Sequence, residues 1–507
     1  MKNKKKSVIT KKILSGIVIS TMLVSLAAGC AKEKDDLITL KWINNRWNTE
    51  AGEEVLAKVN EILKPEGIKL EIEKIDDTAI SEQTNLRAAS GELYDLVFTG
   101  YVNDYQQKAD AGALYDITEL LENIKMSDGS TVKMSDVVED YMLDSALISG
   151  KIYGIPNTQV TSLPNVFVME KPLADECGVD AEGMQELALQ VKDYESSVKY
   201  MDKITEELGK IKAKKPDIYT VNPYNCNVAT LQIYEPLIGG IGLRKDGSSS
   251  ELVILDDTPE RQYGIDTMHN WYEKGYIRSD IAAAGTAMTS TEEERQYAML
   301  FGNWKPGQAE LYFIPFRNCE PVYSRITTPY VSRTAPLQTM ISVGANTKYP
   351  EECVKLIYLL NANKDLYNTL IWGIEGTHYE KGDDGRVTPI EGAGHSEIQQ
   401  SGWAFGNQFN SYVLNTLPLS VWEETKQMDN EADKSPALGF AIDTSNITTE
   451  LANIANLEAE YKAKIDYGTS PRSEYWDEYR SKLSAAGIEK VRDELQKQYD
   501  DFLASKN

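Results

Sequence analysis

Three apolar-alternating runs separated by two helical stretches, all within residues 38–99, constrain the fold of this chain more than any other feature. Ile38, Leu40 and Trp42 alternate with Thr39 and Lys41, a strand pattern. Asn48 or Thr49 is placed to cap a helix in which Val55, Leu56, Val59, Ile62 and Leu63 share one face at helical spacing, and Pro65-Glu66-Gly67 is expected to end it. A second strand follows, with Ile68, Leu70 and Ile72 inward and Lys69, Glu71 and Glu73 outward. A helix through Ile80 to Ala89 and a strand over Tyr94 to Thr99 complete the run. Strand, helix, strand, helix, strand implies right-handed crossovers and a parallel or mixed sheet, whose ligands sit at the carboxyl ends of the strands. The loops at those ends are Asn44-Asn45-Arg46-Trp47 and Gly100-Tyr101-Val102-Asn103.

The same alternation recurs downstream. Val166 to Met169 predicts a strand, Glu182 to Lys212 one long helix, and Thr258 to Gly275 another helix that buries Ile265, Met268 and Tyr272. Asp-Gly pairs at 128–129, 246–247 and 384–385 are hairpin-turn signals. Met340 to Val343 predicts a strand ahead of a helix that starts at Pro350 and carries Val354, Ile357, Tyr358 and Leu360. The last sixty residues read as helical, with Leu451, Ile454, Leu457, Tyr461 and Ile465 in one stripe and Val491, Leu495, Tyr499 and Phe502 in another. There is no internal repeat.

The compartment is written at the amino end. Lys2, Lys4, Lys5, Lys6, Lys11 and Lys12 precede an apolar run from Ile13 to Leu26, and Ser25-Leu26-Ala27-Ala28-Gly29-Cys30 follows as a cut site. This resembles the bacterial lipobox, with Ala27 where leucine is commoner. Residues 1–29 are expected to be a lipoprotein signal peptide, Cys30 the lipidation residue and 30–37 a lipidated tether. An uncleaved membrane anchor is the rival, but Ala-Ala-Gly-Cys suits cleavage better than continued spanning. No later stretch approaches the ~18 apolar residues of a membrane span, so the rest is expected to work at the outer face of the cell membrane.

The chain's net charge of −25 becomes six units more negative once the signal lysines are removed. That balance argues against nucleic acid and against an anionic membrane surface as partner. Beyond Cys30, the residues Cys177, Cys226, Cys319 and Cys353 have no C-x-x-C spacing and are read as free thiols; if oxidised they allow three pairings. The length remaining after residue 29 exceeds one core and suits two domains.

Most catalytic signatures are missing. There is no phosphate-binding G-x-x-x-x-G-K-[ST] loop, and Gly240-Ile241-Gly242 lacks the rest of a dinucleotide fingerprint. His269, His378 and His395 are scattered, so neither a metal nor a cofactor is expected. Ser196-Ser197-Val198-Lys199 matches S-x-x-K without its companion elements and reads as solvated helix. What recurs is an aromatic residue beside Asn, Gly or Glu in irregular chain: Trp42 and Trp47, Tyr101, Asn303-Trp304-Lys305-Pro306-Gly307, Trp372-Gly373-Ile374-Glu375-Gly376-Thr377, and Trp403-Ala404-Phe405-Gly406-Asn407-Gln408. Sugars present flat C–H faces edged with hydroxyls, so ring platforms with polar rims suit a carbohydrate cleft. A single buried tryptophan is more often core than platform.

Tyr94-Asp95-Leu96-Val97, Leu114-Tyr115-Asp116-Ile117-Thr118 and Gly150-Lys151-Ile152-Tyr153-Gly154-Ile155-Pro156-Asn157 together resemble the extracellular solute-binding lipoproteins of bacterial ABC importers, in the carbohydrate-type group. Ser342 to Glu352 is similar to that family's strand-loop-helix before its second hinge, and 373–379 and 402–408 resemble a Gram-positive subgroup with a distinctive C-terminal portion. The resemblance implies an α/β, two-lobed, periplasmic-binding-protein-like (type II) clam-shell, each lobe a mixed sheet flanked by helices. On that reading lobe 1 comprises 38–156 with a return segment 326–365, and lobe 2 comprises 157–325 with 366–507 and its C-terminal helices. The crossings are expected near Pro156-Asn157, near 315–335 and near 362–372.

The implied function is capture of a solute, an oligosaccharide by its aromatic loops, and delivery to ABC permease subunits by a monomeric, lipid-anchored receptor that is not an enzyme. The alternatives are a surface glycosidase, which requires facing carboxylates, and a sensor or peptide-binding receptor of the same fold. At least two of Trp47, Tyr101, Trp304 and Trp372 are expected to be stacking platforms, with Arg46, Asn157, Asn303 and Glu375 as rim partners.

Overall fold

The computed structural model describes residues 37–223, 228–285 and 291–506. Cys30 and Cys226 lie outside them. The strands that matter here are β1 (Ile38–Asn44), β2 (Ile68–Lys74), β3 (Leu96–Gly100), β4 (Gly154–Pro156), β5 (Asn165–Glu170), β6 (Tyr219–Val221), β7 (Tyr297–Asn303), β8 (Pro321–Arg325) and β9 (Thr339–Val343). The helices are α1 (Gly52–Leu63), α2 (Ile80–Ser90), α3 (Ala181–Ala188), α4 (Tyr194–Lys214), α5 (Pro259–Glu273), α6 (Pro350–Ala362), α7 (Lys364–Trp372), α8 (Val421–Glu431), α9 (Thr448–Ile465), α10 (Trp476–Ala486) and α11 (Ile488–Ser505).

The first sheet has strand order β2-β1-β3-β9-β4. β1 runs parallel to β2 with Ile38 opposite Ile68, and parallel to β3 with Trp42 opposite Leu96. β9 is antiparallel to β3 and to β4, pairing Thr339 with Gly100 and Met340 with Pro156. The carboxyl ends of β1, β2, β3 and β4 therefore lie along one edge, and β9 begins there. The second sheet has order β8-β5-β7-β6, with β5 antiparallel to both neighbours and Asn303 opposite Asn165. Both sheets are mixed, as the alternation predicts.

Apolar burial divides into separate cores. Leu40, Trp42, Val55, Val59, Leu70, Phe98, Ile341 and Ile357 meet in the first. Phe167, Met201, Ile204, Leu208, Met268 and Trp271 meet in the second. A third joins Ile241, Leu243 and Ile254 to the stripes of α9, α10 and α11, including Ile454, Tyr461, Tyr479, Val491 and Tyr499.

Local structure departs from expectation in four places. Ala51, not Asn48 or Thr49, stands at the start of α1; Thr49 Oγ1 instead accepts from the Ala51 N–H and donates to the Gly394 carbonyl at 2.7 Å. The single helix expected over 182–212 is two, because the Asp193 carboxylate accepts from the Ser196 N–H and starts α4 afresh after a break. That cap also accounts for the S-x-x-K match. In α5 the buried partner of Ile265 and Met268 is Trp271, while Tyr272 is half-buried. Leu366, Tyr367, Leu370, Ile371, Trp372 and Phe405 belong to the first core, so 366–405 packs there and not with the second lobe. The third crossing accordingly runs between Phe405 and Ala437, well after 362–372.

The crossings are laced to one another. The first runs between Pro156 and Asn165, the second between Arg325 and Thr339. The Asp429 carboxylate of α8 accepts from the N–H groups of Thr161 and Ser162 at 3.1 and 3.0 Å, and the Gln408 N–H donates to the Thr158 carbonyl at 2.8 Å. Tyr330–Val331 pairs parallel with Asp433–Lys434, and Glu235 accepts from the Tyr330 hydroxyl and the Arg333 N–H. Cys177, Cys319 and Cys353 are free thiols.

Candidate functional site

Three strand ends of the first sheet build the site. At the end of β1 the Asn44 Oδ1 accepts from the Arg46 N–H at 2.7 Å, a local turn that swings the next two side chains off the strand. Asn45 Nδ2 donates to Asp77 Oδ1 at 2.8 Å and to the Tyr101 hydroxyl at 3.0 Å. Arg46 Nη2 donates to Asp77 Oδ2 at 2.6 Å and to the Tyr101 hydroxyl. Its guanidinium lies 5.6 Å from the Tyr101 ring centroid and 5.4 Å from that of Trp403. The two rings meet edge-on at 6.0 Å. Cation–π contact holds the guanidinium against both while its carboxylate partner fixes the rotamer.

At the end of β3, Gly100 has φ +139°, and a Cβ there would stand 2.0 Å from the Gln338 carbonyl. Only glycine lets the chain pass that carbonyl and present Tyr101, which is 43% exposed and packs edge-on to Phe98. Burial of part of the ring pushes the phenol above its ordinary pKa, against the lowering effect of Arg46. The hydroxyl therefore stays protonated at neutral pH.

Past the end of β4, Asn157 is 1% exposed, yet neither its Oδ1 nor its Nδ2 has a partner among the described residues. Its N–H donates to the Thr339 carbonyl. Gln408, fixed beside it through Thr158, is likewise buried with an unpartnered Oε1. A buried amide with no partner costs about 1–3 kcal/mol, so a hydrogen-bonding partner at these two side chains would be favoured by about that much.

The structure brings together Arg46, Tyr101 and Asn157 of the expected set along this edge. Trp47 and Trp372 require correction as platforms. Trp47 is buried edge-on against Phe405 and His395, and Trp372 is 3% exposed with its Nε1 donating to Ser411 Oγ. Both rings spend their faces on the first core. Glu375 is exposed in the turn after α7. Asn303 is exposed at the end of β7, and half-buried Trp304 donates its N–H to the Pro164 carbonyl of the first crossing. That places the pair at the end of a strand of the second sheet, next to the segment between β4 and β5. Asn45, Asp77, Trp403 and Gln408 are not among the expected site residues, although Asn45 lies in the strand-end loop and Trp403 and Gln408 in the aromatic-plus-amide run that the sequence marks. Among the described residues no cluster of three or more His, Cys, Asp or Glu side chains could hold a metal, and no helix is long and apolar enough to cross a membrane.

Residues 57–373 match the family described as bacterial extracellular solute-binding protein. The chain belongs to that family. Residues 436–504 match a separate domain of unknown function, which covers the third core's helices and corresponds to the distinctive C-terminal portion. A carbohydrate ABC transporter substrate-binding protein of Streptococcus pneumoniae is 27% identical over 464 residues, covering 90% of this chain and 89% of its own. The crystal structure of an N-glycan transport solute binding protein from Streptococcus pneumoniae superposes with TM-score 0.76 at 26% identity, over 93% of this chain and 100% of that one. The same protein in complex with Man1GlcNAc gives 0.69 at 25% identity, over 92% and 100%. An HMO-binding, ABC-transporter-associated solute binding protein from Bifidobacterium longum infantis, 14% identical with TM-score 0.60 over 92% of this chain and 99% of that one, shares the fold. As a member of the family this solute-binding protein has the two-lobed type II architecture, and its carboxyl-end edge is where Arg46, Tyr101, Trp403 and Asn157 converge.

Proposed function

We propose that this solute-binding protein captures an oligosaccharide at the carboxyl-end edge of its first sheet, closes its lobes over it and hands it to an ABC permease, chemically unchanged. The observation that carries the reading is the Arg46–Tyr101–Trp403 cluster beside the unpartnered amide of Asn157. A sugar ring can set its C–H face against the exposed part of Tyr101 while its rim hydroxyls bond the polar groups beside it. The similar Streptococcus pneumoniae protein solved with Man1GlcNAc and with Man5GlcNAc supports the class of ligand. Asp77 is tied to Arg46 and Asn45, an arrangement that positions the cluster. Lipidation at Cys30, a monomeric state and residence on the outer face of the membrane belong to the same reading.

Isothermal titration with Man1GlcNAc and Man5GlcNAc, followed by mass analysis of the recovered glycan after long incubation, tests it. Saturable binding with intact glycan is expected. Absence of binding to any glycan in a broad array defeats the sugar assignment, and cleaved product at turnover hands the site to a glycosidase.

A further inference from the structure

A cavity of 160 Å³ lies where the second and third crossings meet at the ladder of Tyr330–Val331 with Asp433–Lys434. Thr327 and Tyr330 of the second crossing and Asp433 of the third form part of its wall. Gln232 and Lys245 close it from the open end of the hairpin that pairs Tyr234–Pro236 with Ile241–Arg244, and Leu189, just past α3, adds apolar surface. None of these residues belongs to the edge that carries Arg46, Tyr101 and Asn157.

The cavity wall carries donors that the protein leaves unused. Both polar atoms of the Gln232 amide are buried without a partner among the described residues. Lys245 Nζ donates to the Leu231 carbonyl at 2.7 Å and stands 4.6 Å from the Tyr330 ring centroid, and no carboxylate pairs with it among the described residues. An ammonium group has further N–H bonds to give. Desolvation lowers its pKa from an ordinary 10.5 to about 8, with Glu235 acting weakly the other way, as befits a positive charge short of counter-charge. Thr327 Oγ1 accepts from the Asn165 N–H at 2.9 Å, which leaves its own hydrogen to donate.

The nearby acids are already engaged. Glu235 accepts from the Tyr330 hydroxyl, the Arg333 N–H and the Ser435 hydroxyl. Asp246 accepts from Arg244 Nε and Nη2 at 3.1 and 2.7 Å, which holds its carboxyl far below the usual range. Asp433 is exposed. An ammonium, a primary amide and a hydroxyl around one small space call for a guest with acceptor oxygens and a negative charge. At about 30 Å³ for each water-sized group, the volume holds about five heavy atoms, too few for a sugar ring.

We propose that this cavity is a second binding site, for a small monocarboxylate of acetate, lactate or pyruvate size, held by Lys245 and Gln232 with its carbon end against Leu189. The site is separate from glycan capture and does not rest on it. Its walls come from both crossings, so a bound acid bridges them.

Ligand-observed NMR titration of the protein with acetate, L-lactate and pyruvate at constant ionic strength, with propionamide as a neutral probe of similar size, tests the site. At least one acid is expected to bind saturably and about tenfold or more tighter than propionamide, a ratio in keeping with charge-assisted hydrogen bonds. Lys245→Met is expected to weaken that acid about tenfold or more while leaving propionamide within about twofold. Gln232→Leu removes an amide that the fold leaves unpaired, so its unfolding midpoint is expected to match or exceed the wild type, and its acid binding to weaken about threefold or more. It carries the test if Lys245→Met fails to fold. No saturable binding of any of the three acids, propionamide binding as tightly as the acids, or acid binding unchanged in the folded variants overturns the site. Glycan binding, present or absent, alters none of these outcomes.

Discussion

Arg46 sits over two aromatic rings because Asn44 turns the chain at the last residue of β1 and Asp77 waits 2.6 Å from the guanidinium. Replacing Tyr101 with Ala removes the ring and the common acceptor of Asn45 and Arg46, and is expected to weaken glycan binding by about 1–3 kcal/mol in titration. Tyr101→Phe keeps the ring and is expected to lose less; equal binding by Tyr101→Ala and wild type would end the platform assignment. His395 carries a pH effect in the same lobe. It is 1% exposed, hydrogen-bonded to Thr49 Oγ1 and near the Leu370 carbonyl, with His378 at 5.5 Å. Desolvation holds its pKa down, from an ordinary 6.5 to about 4, so the folded state excludes a proton that the unfolded chain accepts. Its contribution is present in full above pH 6.5 and is lost as pH falls toward 4, about 3 kcal/mol in all. Urea unfolding between pH 7.5 and 4.5 is expected to show a shallower loss for His395→Gln than for wild type. Residue by residue, the sequence marks where aromatics fall in loops but not which face them outward. Trp47, Trp372 and Trp403 all neighbour Asn, Gly or Ala, yet only Trp403 keeps its ring at the site; Phe405, His395 and Ser411 claim the other two.

At the scale of elements, legibility followed whether a pattern names its own partner. Alternation in β1 and β2, the stripe of α1 and the stop at Gly67, with φ +75°, each follow from spacing and local chemistry alone. An apolar stripe announces that a helix is buried, not against which sheet. That is why the stripe of α7 does not reveal that it packs in the first core, and why the cap at Asp193 is hidden inside one continuous periodicity. The crossings depend on contacts between distant segments, which no local pattern encodes. Asp429 shows the consequence: its carboxylate, raised in pKa mainly by burial, serves the Thr161 and Ser162 N–H groups and the Ser162 hydroxyl from 267 residues away in sequence. Asp429→Ala strands those donors and is expected to cost about 1–3 kcal/mol of stability in denaturant unfolding, with Asp429→Asn costing less. Gly100→Ala should destabilise by a comparable amount or more, because the added carbon meets the Gln338 carbonyl and the backbone is in a region that favours glycine. A variant with wild-type unfolding midpoint at either position would show that the crossing, or the turn, relaxes freely.

Across the whole molecule, the first and second cores share no strand, and the chain passes between them in stretches tied to one another by Asp429, Gln408 and the short ladder of Tyr330–Val331 with Asp433–Lys434. Rotation confined to a few residues of such stretches moves a lobe without repacking its core. The candidate residues divide accordingly: Arg46, Tyr101, Trp403 and Asn157 stand on or beside the first sheet, while Asn303 ends a strand of the second and Trp304 follows it. A ligand touching both groups favours a closed form by its differential affinity for it, and that is the only means by which it can shift the balance. Small-angle scattering of residues 37–507 should therefore show a radius of gyration that falls on adding saturating Man5GlcNAc. Tyr101→Ala should need more glycan to reach the same contraction. The lacing adds a constraint: Asp429→Ala loosens the first crossing from the third, so the free protein should scatter as a broader distribution while its glycan-bound form matches the wild type. Contraction in neither protein would remove lobe closure from the mechanism, and identical free-state curves would mean that Asp429 secures the fold without restraining the hinge.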